Sequence, residues 1–178
     1  MRVGVIGAGL MGAGMIRSIA AGGHDVSVHA RTPSKAEGLP GVSAASIIDA
    51  VDGADIGLLS VTDSDDVLAV VGEAMRAPVP PPIIIDTSTI APAAAVEAAA
   101  IAARGGCEYL DCPVSGGPPG AAAGTLAVMC GGTDDGVRAA EPVLDLIGDP
   151  AKRVHCGPVG SGLVAKLVNN LLVAVISA

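Results

Sequence analysis

The chain has 178 residues and a formal net charge of −8, and 51% of its residues are hydrophobic. It contains one tyrosine, Tyr109, and neither tryptophan nor phenylalanine. A chain of this length can bury a core of small aliphatic side chains, whereas its acidic charge and its lack of aromatic platforms argue against a nucleic-acid partner.

Short runs rich in β-branched residues alternate with alanine-rich runs along the chain. The predicted strands are RVGVIG, DVSVHA, a weaker one near 41–43, DIGLLS, PIIID, CEYLD, TLAVMCG and KRVHC. The predicted helices are MGAGMIRSIAAGG, SDDVLAVVGEAMR, APAAAVEAAAIAARG and DDGVRAAEPVLDLIG. Runs such as IGLLSV lack polar alternation, which is typical of strands covered on both faces. The pattern predicts βαβ units and therefore an α/β fold with a doubly wound, mostly parallel sheet.

A glycine-rich loop, VGVIGAGLMG, joins the first strand to the first helix. Glycines spaced in this way serve a tight turn, close approach of the backbone to a pyrophosphate, and close contact between helix and strand. The loop alone can be a merely structural turn, but at the first strand–helix junction of an alternating chain it predicts a Rossmann-type dinucleotide site. The cofactor-binding residues predicted in this loop are Gly7, Ala8, Gly9, Leu10, Met11 and Gly12.

The second strand ends in HARTPSK, which bears on the choice of nicotinamide cofactor. NAD-selective domains usually place an acid here to bind the ribose 2′-hydroxyl, and none lies between His29 and Ser34. Arg31, Thr32 and Lys35 suit a 2′-phosphate instead. The alternative is that Arg31 and Lys35 are solvated loop charges. The sequence favours NADP (NADPH) over NAD, with NAD still possible.

The cysteines show neither a CxxC pair nor a histidine at ligand spacing; they are Cys107, Cys112, Cys130 and Cys156. We therefore expect buried, reduced thiols and no metal site. The N-terminal apolar run lacks the cleavage site of a signal peptide. In the C-terminal run, Lys166 would lie near the middle of a bilayer, where a charge costs several kcal/mol. We expect a cytoplasmic protein without a membrane partner.

The chain closes on GPVGSGLVAKLVNNLLVAVISA, an apolar run interrupted by one lysine and two asparagines. We predict a dinucleotide-binding domain over 1–157, and over 158–178 the start of a long interdomain helix. Lys166 and Asn170 are four residues apart and therefore share one helix face, while Asn169 points about 100° away from Asn170. A solvated lysine is the usual alternative, but the apolar surroundings favour a functional one.

Taken together, these stretches resemble the β-hydroxyacid dehydrogenase family, which includes 3-hydroxyisobutyrate dehydrogenases and tartronate semialdehyde reductases. The resemblance covers the whole chain and is carried by VGVIGAGLMG, HARTPSK, DTSTIAP, YLDCPVSGGPPGAAAGTLAVMCGG and GPVGSGLVAKLVNN. The PVSGG loop and the KLVNN helix are its most specific parts. The resemblance implies hydride transfer between nicotinamide and a short β-hydroxyacid or its semialdehyde.

The resemblance also implies roles for single residues around a small carboxylate-bearing substrate. Ser115, Gly116 and Gly117 hold the substrate carboxylate, through a hydroxyl and unshielded backbone N–H groups. Lys166 is the catalytic general acid and base, with a pKa lowered by partial burial. Asn170 is catalytic and orients the substrate.

Further positions carry over as supporting roles. Asn169 caps or braces the site, and Gly160 and Gly162 let the last helix approach the cofactor. Three more residues are expected at the cofactor, although the threonines can instead be helix caps; they are Val61, Thr62 and Thr89.

Members of this family continue into a helical domain that closes the site and builds a dimer, so the resemblance implies a homo-oligomer when that domain is present. The 178 residues would then be a cofactor-binding fragment. Three alternatives stay open. A 6-phosphogluconate dehydrogenase carries a histidine where this chain has Leu163, an imine reductase generally lacks the lysine at Lys166, and a non-catalytic NADP-binding module needs no general acid.

Overall fold

One sheet of nine strands organises the part of the chain that the computed structural model describes, residues 1–176. Its strands are β1 (Arg2–Ile6), β2 (Asp25–His29), β3 (Val42–Ser43), β4 (Ile56–Leu59), β5 (Ile83–Asp86), β6 (Glu108–Asp111), β7 (Val114–Ser115), β8 (Leu126–Gly131) and β9 (Gly148–Gly157). The helices are α1 (Leu10–Ala21), α2 (Ile47–Val51), α3 (Ser64–Ala74), α4 (Pro92–Arg104), α5 (Gly117–Ala123), α6 (Asp134–Ile147) and α7 (Ser161–Ile176), with a 3₁₀ turn at Pro33–Lys35.

Six strands run parallel in the order β3-β2-β1-β4-β5-β6. Strand β8 is antiparallel to both β6 and β7, and β9 pairs in parallel with β8. The order runs outward in both directions from β1 and β4, as in doubly wound sheets that bind ligands beyond the carboxyl ends of their strands. The predicted α/β fold with a mostly parallel sheet is confirmed.

Apolar side chains fill both faces of the sheet. On one face, α1 and α6 contribute fully or almost fully buried residues such as Met15, Ile16 and Leu144. On the other, α3 and α4 contribute smaller ones such as Val71 and Ala98. Each fully buried Leu, Ile or Met stabilises the fold by about 1.5–3 kcal/mol relative to exposure. The two layers hold the central strands rigidly, so that the loops at their carboxyl ends have fixed positions.

Three elements, β7, α5 and α2, differ from the expectation from sequence. The PVSGGPPG segment, expected to be a loop, contains the two-residue strand β7 and continues into α5, because proline is tolerated in the first turn of a helix. Helix α5 packs so closely on α1 that a Cβ on Gly14 would lie 2.7 Å from the carbonyl carbon of Ala121. The short helix α2 was not predicted at all. Three cysteines are buried as expected, but Cys156 is only half-buried.

Helix α7 leaves the body of the domain as it proceeds. Leu163 is fully buried, whereas Leu167 is 45% exposed and Leu171 65% exposed. The last two residues of the predicted unit 158–178, Ser177 and Ala178, lie outside the described residues. Over residues 1–176, we find no helix whose length and apolarity would suit it to crossing a membrane.

Candidate active site

The glycine loop leaves the carboxyl end of β1 and enters α1. Gly7 has φ +104°, which favours glycine, and its N–H donates to the His29 carbonyl at 2.9 Å. A Cβ on Gly7 would overlap the Ser60 oxygen, and a Cβ on Gly12 would overlap the Gly7 oxygen. By contrast, nothing lies within 4 Å of a Cβ built on Gly9. Gly7 and Gly12 therefore shape the loop, while Gly9 leaves open space at the N-terminus of a 12-residue helix, which suits an anion.

A cavity of about 330 Å³ extends from this loop along the carboxyl ends of β1, β2 and β4. The predicted cofactor residues that line it are Gly7, Ala8, Gly9, Arg31, Thr32, Lys35, Val61 and Thr62. The others, Leu10, Met11, Gly12 and Thr89, are not among its lining residues. Shape and chemistry fit a dinucleotide, because an open helix N-terminus adjoins a cleft bordered by two cationic side chains.

Two acidic residues that line the cavity, Asp66 and Glu73, were not singled out from the sequence. Asp66, in the first turn of α3, accepts a hydrogen bond from Nη1 of Arg31 at 3.0 Å. The Arg31 side chain is 80% exposed and that of Asp66 is 28% exposed. The pair thus lies at the cavity mouth, where an exposed ion pair is worth about 0.2–1 kcal/mol. Sequence offered no signal for it, because 35 residues separate the two partners.

The loops after β4 and β5 are fixed to each other by buried polar groups. The Val61 N–H donates to Oγ of Ser88 at 3.0 Å, and the Ser88 N–H donates to Oδ1 of Asp86 at 2.8 Å. The hydroxyl of Tyr109 donates to Oδ2 of the same carboxylate at 2.5 Å. Burial is the main cause that raises the pKa of both Asp86 and Tyr109. This network ties the Val61 side of the cavity to the middle of the sheet.

Lys166 lies in the second turn of α7 and is only 8% exposed. Burial lowers the pKa of its ammonium. Within residues 1–176, no carboxylate forms an ion pair with it. A largely buried lysine without a counter-charge costs stability, and groups of this kind cluster at functional sites.

The predicted carboxylate loop faces the lysine helix. Nδ2 of Asn169 donates to Oγ of Ser115 at 3.3 Å, so the residue predicted to brace the site contacts the predicted substrate serine. Asn170 is exposed on the adjacent helix face. Gly116 is exposed and directly precedes α5, which begins at Gly117. The structure thus joins Ser115 to Asn169, three residues from Lys166 on the same helix, and the roles predicted for Ser115, Lys166 and Asn170 stay predictions.

Another acid that was not predicted from the sequence, Asp111, lies at the end of β6. Asp111 accepts from the Gly160 N–H at 2.7 Å and from the Leu163 N–H at 2.9 Å. Burial raises the pKa of its carboxyl, and the backbone N–H groups oppose that rise. Gly160 and Gly162 were expected to allow contact with the cofactor, but Gly162 instead lies against the Asp111 backbone and Met129.

Comparisons with known proteins agree with this arrangement. Residues 2–159 match the family described as the NAD binding domain of 6-phosphogluconate dehydrogenase. An NAD-dependent L-serine dehydrogenase from Pseudomonas aeruginosa is 39% identical over 98% of this chain and 60% of its own length. The chain therefore spans about 60% of the length of such relatives.

Solved structures give the same result. A 3-hydroxyisobutyrate dehydrogenase from Mycobacterium tuberculosis, solved with L-serine, matches with a TM-score of 0.92 and 37% identity over 98% of this chain and 60% of that one. Psf3, solved in complex with NADP+, matches with a TM-score of 0.83 and 31% identity over 96% of this chain and 62% of that one. The chain therefore belongs to the family of the NAD-binding domain of 6-phosphogluconate dehydrogenase, and it is similar to relatives named as 3-hydroxyisobutyrate dehydrogenases.

Proposed function

We propose that this chain is the nucleotide-binding part of an NADP-dependent oxidoreductase that acts on a short β-hydroxyacid or its semialdehyde, with Lys166 as general acid and base. The observation that carries the proposal is the burial of Lys166, at 8% exposure, on the helix that contacts Ser115. A desolvated lysine with a lowered pKa can exchange a proton at neutral pH. Without a chemical task, this buried charge would only destabilise the fold.

The preference for NADP rests on the cavity beside the end of β2. Arg31, Thr32 and Lys35 line the cavity at the position where NAD-selective domains carry an acid. Guanidinium, hydroxyl and ammonium are all donors, which suits the oxygens of a 2′-phosphate. Asp66 engages one nitrogen of Arg31 and leaves other guanidinium N–H groups to bind phosphate. One relative is named NAD-dependent, and titration with NADPH and with NADH distinguishes the two cofactors.

Different residues of this chain bind the substrate and transfer the proton. When bound, a nicotinamide cofactor supplies or accepts hydride at C4. Ser115 and the N–H groups of Gly116 and Gly117 bind the substrate carboxylate. Because Asn169 donates to Oγ of Ser115, the serine proton stays free to donate to that carboxylate. Lys166 protonates the carbonyl oxygen during reduction and takes the alcohol proton during oxidation.

The contact between the two segments that carry the binding groups supports a small substrate. Ser115 accepts from Asn169, three residues from Lys166, so we expect the acid and the alcohol to be close together in one small molecule. The compounds named with the relatives, L-serine and 3-hydroxyisobutyrate, both carry a hydroxyl on the carbon β to the carboxylate. We therefore infer a short β-hydroxyacid, with Asn170, one turn from Lys166, orienting it.

Two measurements test the proposal. First, the purified chain is titrated with NADPH and separately with NADH, following the fluorescence of the cofactor. Second, L-serine, 3-hydroxyisobutyrate and their semialdehydes are assayed for turnover with wild type, Lys166→Ala and the control Lys152→Ala, an exposed lysine on β9. We expect tighter NADPH binding, and turnover lost only in Lys166→Ala, which still binds cofactor. A Lys166→Ala variant that turns over like wild type would refute the role of the lysine.

A further inference from the structure

Helix α7 begins without a capping side chain of its own. The Val164 N–H donates to the Gly160 carbonyl at 3.0 Å, so Gly160 is the residue that flanks the helix, and Leu163 is its third helical residue. In a capping box, side chains at these two positions accept from each other's backbone N–H groups. Glycine and leucine side chains cannot accept a hydrogen bond. Both N–H groups therefore need an acceptor from elsewhere in the fold.

Asp111 provides that acceptor for both groups at once. Its Oδ1 accepts from the Gly160 N–H at 2.7 Å and its Oδ2 accepts from the Leu163 N–H at 2.9 Å. Asp111 is 1% exposed and lies 49 and 52 residues away from its two partners in the chain. A carboxylate at a helix N-terminus also interacts favourably with the positive end of the helix dipole. The N-terminal cap of α7 is thus a side chain at the end of strand β6.

The surroundings of Asp111 are shaped to admit its carboxylate. A Cβ on Gly131, in the neighbouring strand β8, would overlap Oδ1 of Asp111. A Cβ on Gly162 would lie 2.7 Å from the Asp111 carbonyl oxygen and 3.0 Å from Oδ2. Two elements packed against the carboxylate therefore have no side chain at the point of contact, and the carboxylate fills the gap between β8 and α7.

Lys166 lies midway between two contacts that join α7 to one short segment, residues 111–115. Three residues before it, the Leu163 N–H binds Asp111; three residues after it, Asn169 binds Ser115. Beyond these contacts α7 is exposed. The segment that carries the predicted carboxylate site therefore also determines where the lysine lies.

We propose that Asp111 is a positioning residue that holds the first turn of α7 against β6 and so places Lys166 opposite Ser115. This proposal rests on the role of Lys166 in the proposed function. It assigns to the acid in the YLDCPVSGG stretch a task separate from substrate binding, because both of its oxygens are occupied by the helix.

The test compares Asp111→Asn with wild type and with a matched control, Asp55→Asn. Asp55 also accepts from a backbone N–H, that of Arg2 at 2.7 Å, but at the amino end of the sheet. In Asp111→Asn the amide NH₂ faces one of the two N–H donors. We expect hydrogen exchange of the Leu163 and Lys166 amides to become at least tenfold faster, with the β1 and β4 amides unchanged. We also expect the pKa of Lys166, followed by NMR, to rise toward its ordinary value as the lysine gains solvent.

Turnover gives a third readout. We expect kcat to fall at least tenfold in Asp111→Asn, with the cofactor dissociation constant within twofold of wild type and Asp55→Asn unchanged. The proposal is overturned if the α7 amides and the Lys166 pKa match wild type, or if exchange rises equally throughout the sheet. If wild type binds neither NADPH nor NADH, the proposed function fails, while hydrogen exchange and the Lys166 pKa still decide the role of Asp111.

If Asp111→Asn does not fold, a pH titration of wild type followed by NMR tests the proposal instead. As pH falls and Asp111 takes up a proton, the amide signals of Gly160 and Leu163 should move together with one midpoint. Different midpoints would show that the two N–H groups do not share this carboxylate, and would overturn the proposal.

Discussion

Replacing Gly9 by alanine separates a nucleotide-binding loop from a merely tight turn. Gly9 has φ −69° and ψ −173°, an extended conformation that alanine adopts freely, and a Cβ there meets nothing within 4 Å. Losing glycine at the N-cap costs about 0.5–1 kcal/mol, and the lower entropy of the unfolded chain offsets about 0.4–1 kcal/mol. The free energy of unfolding should therefore stay within about 0.5 kcal/mol of wild type.

Cofactor affinity should respond very differently to the same methyl group. If a pyrophosphate lies against the N-terminus of α1, the Gly9→Ala methyl occupies the path of its approach. We expect NADPH binding to weaken at least tenfold, about 1.4 kcal/mol, in a fluorescence titration, while urea unfolding is unchanged. Gly12→Ala, by contrast, should lower the free energy of unfolding. Its Cβ overlaps the Gly7 oxygen, and overpacking of this kind costs about 1–3 kcal/mol.

The matched control is Gly72→Ala in α3, where a Cβ also meets nothing within 4 Å. Alanine in a helix interior should stabilise the chain by about 0.5–1 kcal/mol and leave NADPH affinity unchanged. If Gly9→Ala binds NADPH as tightly as wild type and Gly72→Ala, the phosphate does not lie at Gly9, and the glycine loop is only a structural turn.

Three further predictions follow from single contacts. Arg31→Ala should weaken NADPH binding about tenfold, about 1.4 kcal/mol, and NADH binding less than twofold; equal losses in a titration would remove the 2′-phosphate argument. Lys166→Met should raise the free energy of urea unfolding by about 1 kcal/mol at pH 7. The folded-state pKa of Lys166 is lowered from 10.5, so between the folded and unfolded pKa values the unfolded chain binds more protons than the folded chain. Wild type therefore gains stability as pH rises through this range, and the stability difference between Lys166→Met and wild type vanishes as pH approaches 10.5. A stability difference that does not change with pH would argue against the burial effect. Tyr109→Phe removes a donor from the buried carboxylate of Asp86 and should cost about 1–3 kcal/mol in thermal unfolding, whereas an unchanged melting temperature would show that the bond adds nothing.

Much of the fold could be predicted because its signals are local. Buried parallel strands such as Ile56–Leu59 appear as short apolar runs, and the loop at Gly7–Gly12 lies between the first strand and helix. Helix α5 could not be predicted in this way, since GPPGAAA has the composition of a turn. Its tertiary contact is distant in the chain, because Ala121 packs against Gly14, more than a hundred residues earlier.

The same difference between local signals and distant contacts decides which site residues could be predicted. Arg31, Lys35 and Lys166 were predicted because charge and position in the chain identify them. Asp66 and Asp111 were not, because their partners come from other elements. Asp66 on α3 binds Arg31, just after β2, and Asp111 on β6 binds backbone N–H groups at the start of α7. The stretch GPVGSGLV did not reveal the need for a distant acceptor, because it contains Ser161, a residue type favoured at N-caps, whereas the structure places Gly160 at that position.

The contact between Tyr109 and Asp86 has an optical consequence. With no tryptophan or phenylalanine in the sequence, a single phenol ring provides the whole aromatic spectrum of the chain. That ring is 2% exposed, on a central strand, with its hydroxyl bound to the carboxylate that also holds the Val61 loop through Ser88. Near-ultraviolet circular dichroism of this protein therefore reports one place rather than an average. The signal therefore reports whether the hydrogen-bond network that holds the Val61 side of the cavity has formed.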